Sequence, residues 1–340
     1  MKNNLSSVLK HFSQGYFIFC CGMCFLVTLL PWWPTYDILT IPKYALLFGP
    51  RWWLLIAVIG LLFFWRYLSK AQLWFSSLLI LLSLNFLDFQ LPSPSSYFST
   101  STSTSTSTST SDEISVLSAN IGGGGSKREL DYIGFTRKPD IILLQEARNI
   151  ALSTLFIDYD FKECISGLCI FSKYPFKQVK VLSRKLFQGW GTFAVFYQID
   201  TQFGRVSLAN VHFETPRSVL MGLIYRFFDF TLANTVESNR QFEAELVSLW
   251  SKNKPYTLIV GDFNMPEDEN TYQRNFTHLN NAIGIKGIGF NATKHTVWHG
   301  VRIDHILYSD DFKLKAVDVV EVINGDHQPV FATFSVGNTH

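Results

Sequence analysis

The chain has 340 residues, of which 47 % are apolar and 16 % charged, with 29 Lys+Arg against 27 Asp+Glu. That length suits one large domain with a smaller part, and so few charges, against roughly 25 % in an average soluble chain, exclude wholesale disorder and an evenly water-soluble protein. A net charge of +2 excludes a strongly basic nucleic-acid-coating protein, and five cysteines are too few for a disulfide scaffold or a zinc-ribbon framework.

Residues 1–91 carry six basic side chains (Lys2, Lys10, Lys43, Arg51, Arg66, Lys70) and two acidic ones (Asp37, Asp88), leaving 29 − 6 = 23 basic and 27 − 2 = 25 acidic residues for the remainder. Three uncharged apolar runs fill this part: Tyr16 to Leu30, Trp52 to Trp65 and Leu73 to Leu87. Each is about 15 residues, and flanking tryptophans extend them toward the ~20 of a full span. The expectation is an N-terminal membrane region of about three helices. A cleavable leader is a poor fit, because Pro31-Trp32-Trp33-Pro34 is not a small-residue cleavage site. Cys20, Cys21 and Cys24 fall inside the first run. Lys2 and Lys10 before the first run, with Arg66 and Lys70 between the second and third, place those loops in the cytoplasm under the positive-inside rule, and Lys43 and Arg51 oppose it. Three spans then put everything after residue 91 outside the cytoplasm, in a periplasmic or other extracytoplasmic space.

Residues 92–111 open with Pro-Ser-Pro-Ser-Ser, and a strict Ser/Thr alternation runs from Ser99 to Ser111. With nothing apolar to bury, this segment reads as a tether. From 112 to 340 the chain alternates short β-branched runs with two helical patterns. Expected strands are Ile114–Ile121, Asp140–Leu144, Leu168–Phe171, Thr192–Ile199, Arg205–Val211, Tyr256–Val260, Ile303–Tyr308, Lys315–Val322 and Pro329–Val336. Expected helices are Ser126–Thr136 and Thr231–Trp250, the latter with Val236, Phe242, Leu246, Leu249 and Trp250 near helical spacing. Strands outnumber helices, which favours an α/β domain with largely antiparallel sheets. Cys164 and Cys169 flank a four-residue hairpin loop, either as two small buried groups or as a disulfide in an oxidising compartment.

Polar residues gather where these runs end: Asn120, Glu146, His212, Asp262 with Asn264, and Asp326 with His327, while Asp304 sits near the start of its own run. A rigid sheet positions side chains best at such ends. Other signals are weaker. Gly122-Gly123-Gly124-Gly125-Ser126-Lys127 has its lysine on the wrong side of the serine for a nucleotide phosphate loop. His295, His299 and His305 lack zinc-site spacing, and Asn275-Phe276-Thr277 and Asn291-Ala292-Thr293 match glycosylation acceptors, a frequent chance pattern.

Together the stretches Leu117-Ser118-Ala119-Asn120, Leu144-Gln145-Glu146, Asn210-Val211-His212, Gly261-Asp262-Phe263-Asn264, Arg302-Ile303-Asp304 and Gly325-Asp326-His327-Gln328-Pro329-Val330 resemble, in this order, the motifs of the endonuclease/exonuclease/phosphatase superfamily with its deoxyribonuclease-I-like fold. The resemblance covers 114–336 and leaves the membrane part outside. It implies a four-layer α/β sandwich with two central, largely antiparallel sheets, and divalent-metal hydrolysis of phosphate esters, with Mg2+ as cofactor and Mn2+ as its substitute. By that resemblance Glu146, Asn120 and Asp326 attend the metal. His327 is base or phosphate-side imidazole, and Asp304 fixes its tautomer. Asp262 positions water, Asn264 donates to a phosphate oxygen, and His212 assists the leaving group; either imidazole can be acid or base.

The superfamily includes nucleases, inositol-phosphate phosphatases and sphingomyelinases, so local features must choose the substrate. The domain is net −2 (23 − 25), weak support for a DNA-binding surface. Val219 to Phe228 is an unusually apolar insertion after His212, either a core helix or an edge that touches a bilayer, and Arg217 before it is a candidate phosphate ligand. The reading is a membrane-anchored phosphoesterase acting outside the cytoplasm, with a lipid-linked or membrane-proximal ester preferred over extracellular DNA or RNA. A catalytically silent membrane adaptor is the alternative of another class. The expected partners are the lipid bilayer and the phosphate-ester substrate; no protein partner is expected.

Overall fold

The computed structural model describes residues 2–34, 37–90, 113–122, 127–148, 155–321 and 325–336. The Ser/Thr-rich tether and most of the glycine run lie outside the described residues. The N-terminal region comprises α1 (Lys2–Thr28), α2 (Thr40–Phe48), α3 (Trp52–Ile59, continued by a 3-10 turn over Gly60–Tyr67) and α4 (Lys70–Phe86). α4 opens with a reciprocal cap between Ser69 and Gln72. Helices α1, α3 and α4 pack together, with the Tyr16 hydroxyl donating to the Ala57 carbonyl at 2.7 Å and Gln14 bonded to Gln72.

Here the three-span expectation is corrected. Among the described residues one helix, over Ser6–Thr28, is long and apolar enough by itself to cross a membrane. The second run is a 16-residue α/3-10 segment, bent by 78° from α2, and the third is a 17-residue helix. Both fall short of ~20 residues because Gly60 and the Leu68-Ser69 turn cut the apolar stretches. Helix α2 lies between the first two apolar runs, in the stretch that carries Lys43. Its Lys43 is fully buried against the fully buried Glu237 at 2.7 Å, so a charge that opposed the orientation rule serves an internal ion pair.

The remainder is α/β. Strand β1 (Phe89–Gln90) tethers the end of α4 to Gly289–Phe290. Strands β2 (Glu113–Asn120), β3 (Ile141–Gln145), β4 (Phe161–Ile165) and β5 (Leu168–Ser172) form one six-stranded sheet with two late strands, Phe312–Val319 and Val330–Val336, in which only β2–β3 is parallel. Strands β6 (Phe176–Ser183), β7 (Thr192–Thr201), β8 (Gly204–His212) and β9 (Thr257–Asp262) form the other with Asp304–Tyr308 and Asn280–Asn281, in which only β8–β9 is parallel. Ile114, Val116, Leu208, Val260 and Ile306 meet between the sheets. On the outer faces α5 (Lys127–Arg137) covers Leu117 and Ile142. After α6 (Arg217–Ile224), α7 (Phe230–Ser251) and α8 (Asn270–Phe276) cover Ala209, Val211 and Ile259. This is the expected layering of helix, sheet, sheet and helix.

Local departures have local causes. Strand β6 was missed because its outer face carries Lys177 and Lys180, as suits an exposed sheet edge. Cys164 and Cys169 are directly opposed and form a disulfide, and the loop between them is shorter than expected, because Ile165 also pairs with Leu168 around Ser166-Gly167, both at positive φ. In α7 the expected apolar face is rotated: Phe242 and Leu249 are exposed, while Glu237, Arg240 and Glu243 are buried.

Candidate active site

Strand alternation builds the site. On β2, residues 114, 116, 118 and 120 face the other sheet; on β8 the same holds for 206, 208, 210 and 212, and on β9 for 258, 260 and 262. The inner positions are apolar and fill the core. The last of each series is polar: Asn120, His212 and Asp262 project into the same gap where the core ends. Asp304 enters at the paired position opposite Asp262. A layer of amides separates core from site, with Gln145 donating to Asn210 at 2.9 Å and Asn210 donating to the Cys169 carbonyl at 3.0 Å. These two side chains join the sheets, a role the sequence reading missed.

The centre is the Asp262 carboxylate, 1 % exposed. Its Oδ2 accepts from Asn120 Nδ2 at 2.8 Å and lies 3.7 Å from His212 Nε2 and 3.9 Å from His327 Nε2, while Oδ1 accepts from the Asn264 amide at 2.8 Å. Glu146 stands at the solvent side, with Oε1 3.3 Å from Asn120 Nδ2 and 3.5 Å from His212 Nε2. His327 Nδ1 is 2.9 Å from Asp304 Oδ2. The structure thus brings together Asn120, Glu146, His212, Asp262, Asn264, Asp304 and His327.

Two glycines make the approach feasible. Gly261 has φ +144°, and a Cβ there would meet the Val211 carbonyl oxygen at 2.0 Å, across the β8–β9 pair. A Cβ at Gly122 would lie 2.0 Å from Glu146 Oε2. Gly122→Ala is therefore expected to push the Glu146 carboxylate aside and lower turnover about tenfold to 10²-fold with the fold intact, measured as initial rates beside a thermal melt.

Electrostatics separate the two imidazoles. Burial disfavours a charged His327, but the Asp304 and Asp262 carboxylates outweigh it and hold the ring at about 9. Burial lowers His212 to about 4, opposed by Glu146 and helped by Arg184. Burial, reinforced by Asp304, raises Asp262 to about 7. Near neutrality His327 is cationic, His212 neutral, and Asp262 close to its midpoint, the arrangement in which one group donates while another accepts.

The other two residues expected beside the metal have protein partners: the Asp326 carboxylate pairs with Lys294, which lines the cleft. Asn120 presents its NH2 to Asp262 and Glu146, while its Oδ1 accepts from the Gly122 amide, an orientation fixed by three bonds. Among the described residues Asp262, Asp304 and His327 offer ligand atoms within 4.8 Å of one another. With Glu146 beside them the donors are mostly carboxylate oxygens, a set that suits a hard divalent cation better than zinc.

The site opens into a cleft of about 580 Å³. Arg217, His299 and Lys294 line it, together with Phe48 of α2, Trp190, Leu220 and Met221. Arg184, also unpredicted, holds the His212 carbonyl at 2.9 Å and the buried Glu243 at 2.6 Å. The missed signal was the three-residue spacing of Glu237, Arg240 and Glu243, which marks one helix face.

The profile of the Endonuclease/Exonuclease/phosphatase family matches residues 117–327. No curated protein matches the sequence. Similar solved structures include a humanized D. rerio TDP2, with 15 % identity and a TM-score of 0.49 over 66 % of this chain and 100 % of that one. The 3′ phosphatase NExo from Neisseria, bound to product DNA hairpin, gives 17 % and 0.48 over 64 % and 98 %. Sphingomyelinase C from Streptomyces griseocarneus gives 15 % and 0.45 over 65 % and 99 %. With the family profile spanning more than half of its length, the chain belongs to the Endonuclease/Exonuclease/phosphatase family.

Proposed function

We propose that the chain is a membrane-anchored, divalent-metal-dependent phosphoesterase that acts outside the cytoplasm on a lipid-linked or membrane-proximal phosphate ester. The observation that carries it is the ring of Asn120, His212, Asn264 and His327 around Asp262, with Glu146 at the mouth of the cleft. Glu146, with the Asn120 Oδ1 on the same side of Gly122, would hold Mg2+ or Mn2+, which when bound supplies positive charge for the phosphate oxygens and leaves Asp262, Asp304 and His327 for proton work. Asp262, near its midpoint at neutral pH, accepts a proton from the attacking water. Cationic His327, steadied by Asp304, would face the phosphate as charge builds, and Asn264, whose Nδ2 donates to the Phe213 carbonyl at 2.9 Å, keeps its second N–H for a phosphate oxygen. Neutral His212 stands where it can serve the leaving oxygen.

The preference for a lipid-linked ester rests on the walls. Leu220 and Met221 border the cleft from α6, the insertion singled out in the sequence, and Phe48 borders it from the N-terminal region. At the end of α6 and just after it, Ile224, Tyr225, Phe227 and Phe228 are exposed, an apolar edge suited to the bilayer boundary. Arg217 at the cleft would bind the phosphate. Full-length protein in detergent, given Mg2+ or Mn2+ and tested on phosphatidic acid, phosphatidylglycerol, plasmid DNA, RNA and p-nitrophenyl phosphate, is expected to release product from the lipids. EDTA should abolish this and added Mg2+ or Mn2+ restore it. Nicking of DNA or cleavage of RNA with no lipid hydrolysis would replace the lipid reading by the nuclease one, and inactivity on every ester would favour the adaptor.

The anchoring is supported by where charges fall. Gln14, Tyr67 and Gln72 meet at one end of the helical bundle, the end next to Lys10, Arg66 and Lys70. At the other end Pro31 and Trp33 carbonyls accept from Asn270, and Arg51 pairs with Asp268 at 2.9 Å. The disulfide fits an oxidising compartment. An alkaline phosphatase reporter fused after His340 should be active and a green fluorescent one dark; the reverse result reverses the orientation.

A further inference from the structure

The family match begins at residue 117, yet α2, at residues 40–48, is packed on the helix that grips the catalytic loops. Arg240 on α7 is fully buried. Its Nη1 donates to the backbone carbonyl of Asn264 at 2.7 Å and to that of Glu214 at 2.9 Å, and its Nη2 donates to both Glu269 oxygens at 2.7 Å. The rings of Tyr44 and Phe48 stand 5.5 and 5.8 Å from its guanidinium carbon. One turn earlier on α7, Glu237 accepts from Lys43 at 2.7 Å and from the Tyr44 hydroxyl at 2.6 Å. Phe48 also lines the cleft, and its carbonyl accepts from His299 Nε2 at 2.7 Å.

Anchoring alone would need only apolar contact. Lys43, Glu237, Arg240 and Glu269 are instead four fully buried charges, two of each sign, and such groups gain little net stability over hydrophobic replacements. What they fix is geometry. Asn264 holds a left-handed φ of +49°, its amide bonded to Asp262 and its carbonyl to Arg240. The guanidinium therefore sets the Asn264 backbone, and through it the Asp262 carboxylate.

We propose that α2 is a working part of the catalytic centre: Tyr44, Phe48 and Glu237 seat Arg240, and Arg240 holds the Asn264 backbone so that Asp262 stays in reacting position. Arg240 and Tyr44 are thus positioning residues. This rests on the phosphoesterase reading. The test uses the full-length chain in detergent with Mg2+, on whichever substrate of the panel above the wild type cleaves fastest. Arg240→Lys is expected to lower kcat about 10²-fold and Tyr44→Phe about tenfold, each with KM within about twofold, at temperatures well below their melting transitions. A purely structural role would lower the melting temperature and leave kcat unchanged, which overturns the inference while leaving the function intact. Should Arg240→Lys not fold, Tyr44→Phe, which removes one hydroxyl, decides by the same criterion. A wild type inert toward the whole panel overturns the phosphoesterase reading and this inference with it.

Discussion

His327→Ala is expected to lower kcat by roughly 10²–10⁴-fold with the fold retained, the range for loss of a positioned acid or base. The ring is buried, 2.9 Å from Asp304 on one nitrogen and facing Asp262 at 3.9 Å on the other, so no neighbour can take its place. Its protonation has a definite sign. With a folded value of about 9, above the ordinary ~6.5, the interactions that hold the cationic ring contribute stability fully below pH ~6.5 and lose it as pH rises through about 9. Metal-free protein should therefore melt lower at pH 9.5 than at pH 6.5, and His327→Ala should flatten that limb. His212 acts at the other end: pushed down to about 4, it costs stability as pH falls from ~6.5 toward 4, because the unfolded chain then binds the proton more readily. Asp304→Asn should bring the alkaline fall in rate toward pH 6.5, since the carboxylate that holds the ring charged is gone. Rate profiles and thermal melts across pH 4–10 measure both.

Lys43→Met is expected to destabilise the full-length protein by about 3–5 kcal/mol, because it strands Glu237 in a place with no exposure. The Tyr44 hydroxyl at 2.6 Å and Thr271 at 3.4 Å still donate to the carboxylate, which points to the lower part of that range. The double variant Lys43→Met/Glu237→Gln should recover most of the loss, since it removes both charges and keeps an acceptor for Tyr44. Chemical denaturation in detergent micelles reads both effects. A loss under about 1 kcal/mol for the single variant would mean that the pair is solvated rather than buried. The same contacts say that a chain cut down to 112–340 would expose Glu237 together with Val219, Ala233 and Val236, which pack into the N-terminal cluster.

Much of the catalytic half was legible because its logic is periodic. Alternation in Leu117-Ser118-Ala119-Asn120 or in Leu258-Ile259-Val260-Gly261-Asp262 names both the core face and the polar residue at its end. Edge strand β6 was hidden by its lysines, and the buried face of α7 by its charges, since a rule that equates burial with apolarity turns that helix the wrong way. The apolar runs of the N-terminal region are plain in the sequence. Their lengths as helices are not, because Gly60 and the Leu68-Ser69 turn act locally within stretches that average out as apolar.

Asn120, Glu146, His212, Asp262, Asp304 and His327 were all named from strand ends and motif order, since strand periodicity and turn chemistry are properties of neighbours along the chain. Partnership is not. That Asp326 is held by Lys294, that Lys43 and Arg51 answer Glu237 and Asp268, and that Arg240 joins α2 to the Asn264 loop depend on groups 24 to 217 residues apart. A charge carries no mark of its counter-ion in the local sequence; only folding, which removes both from water at the same place, selects the pair.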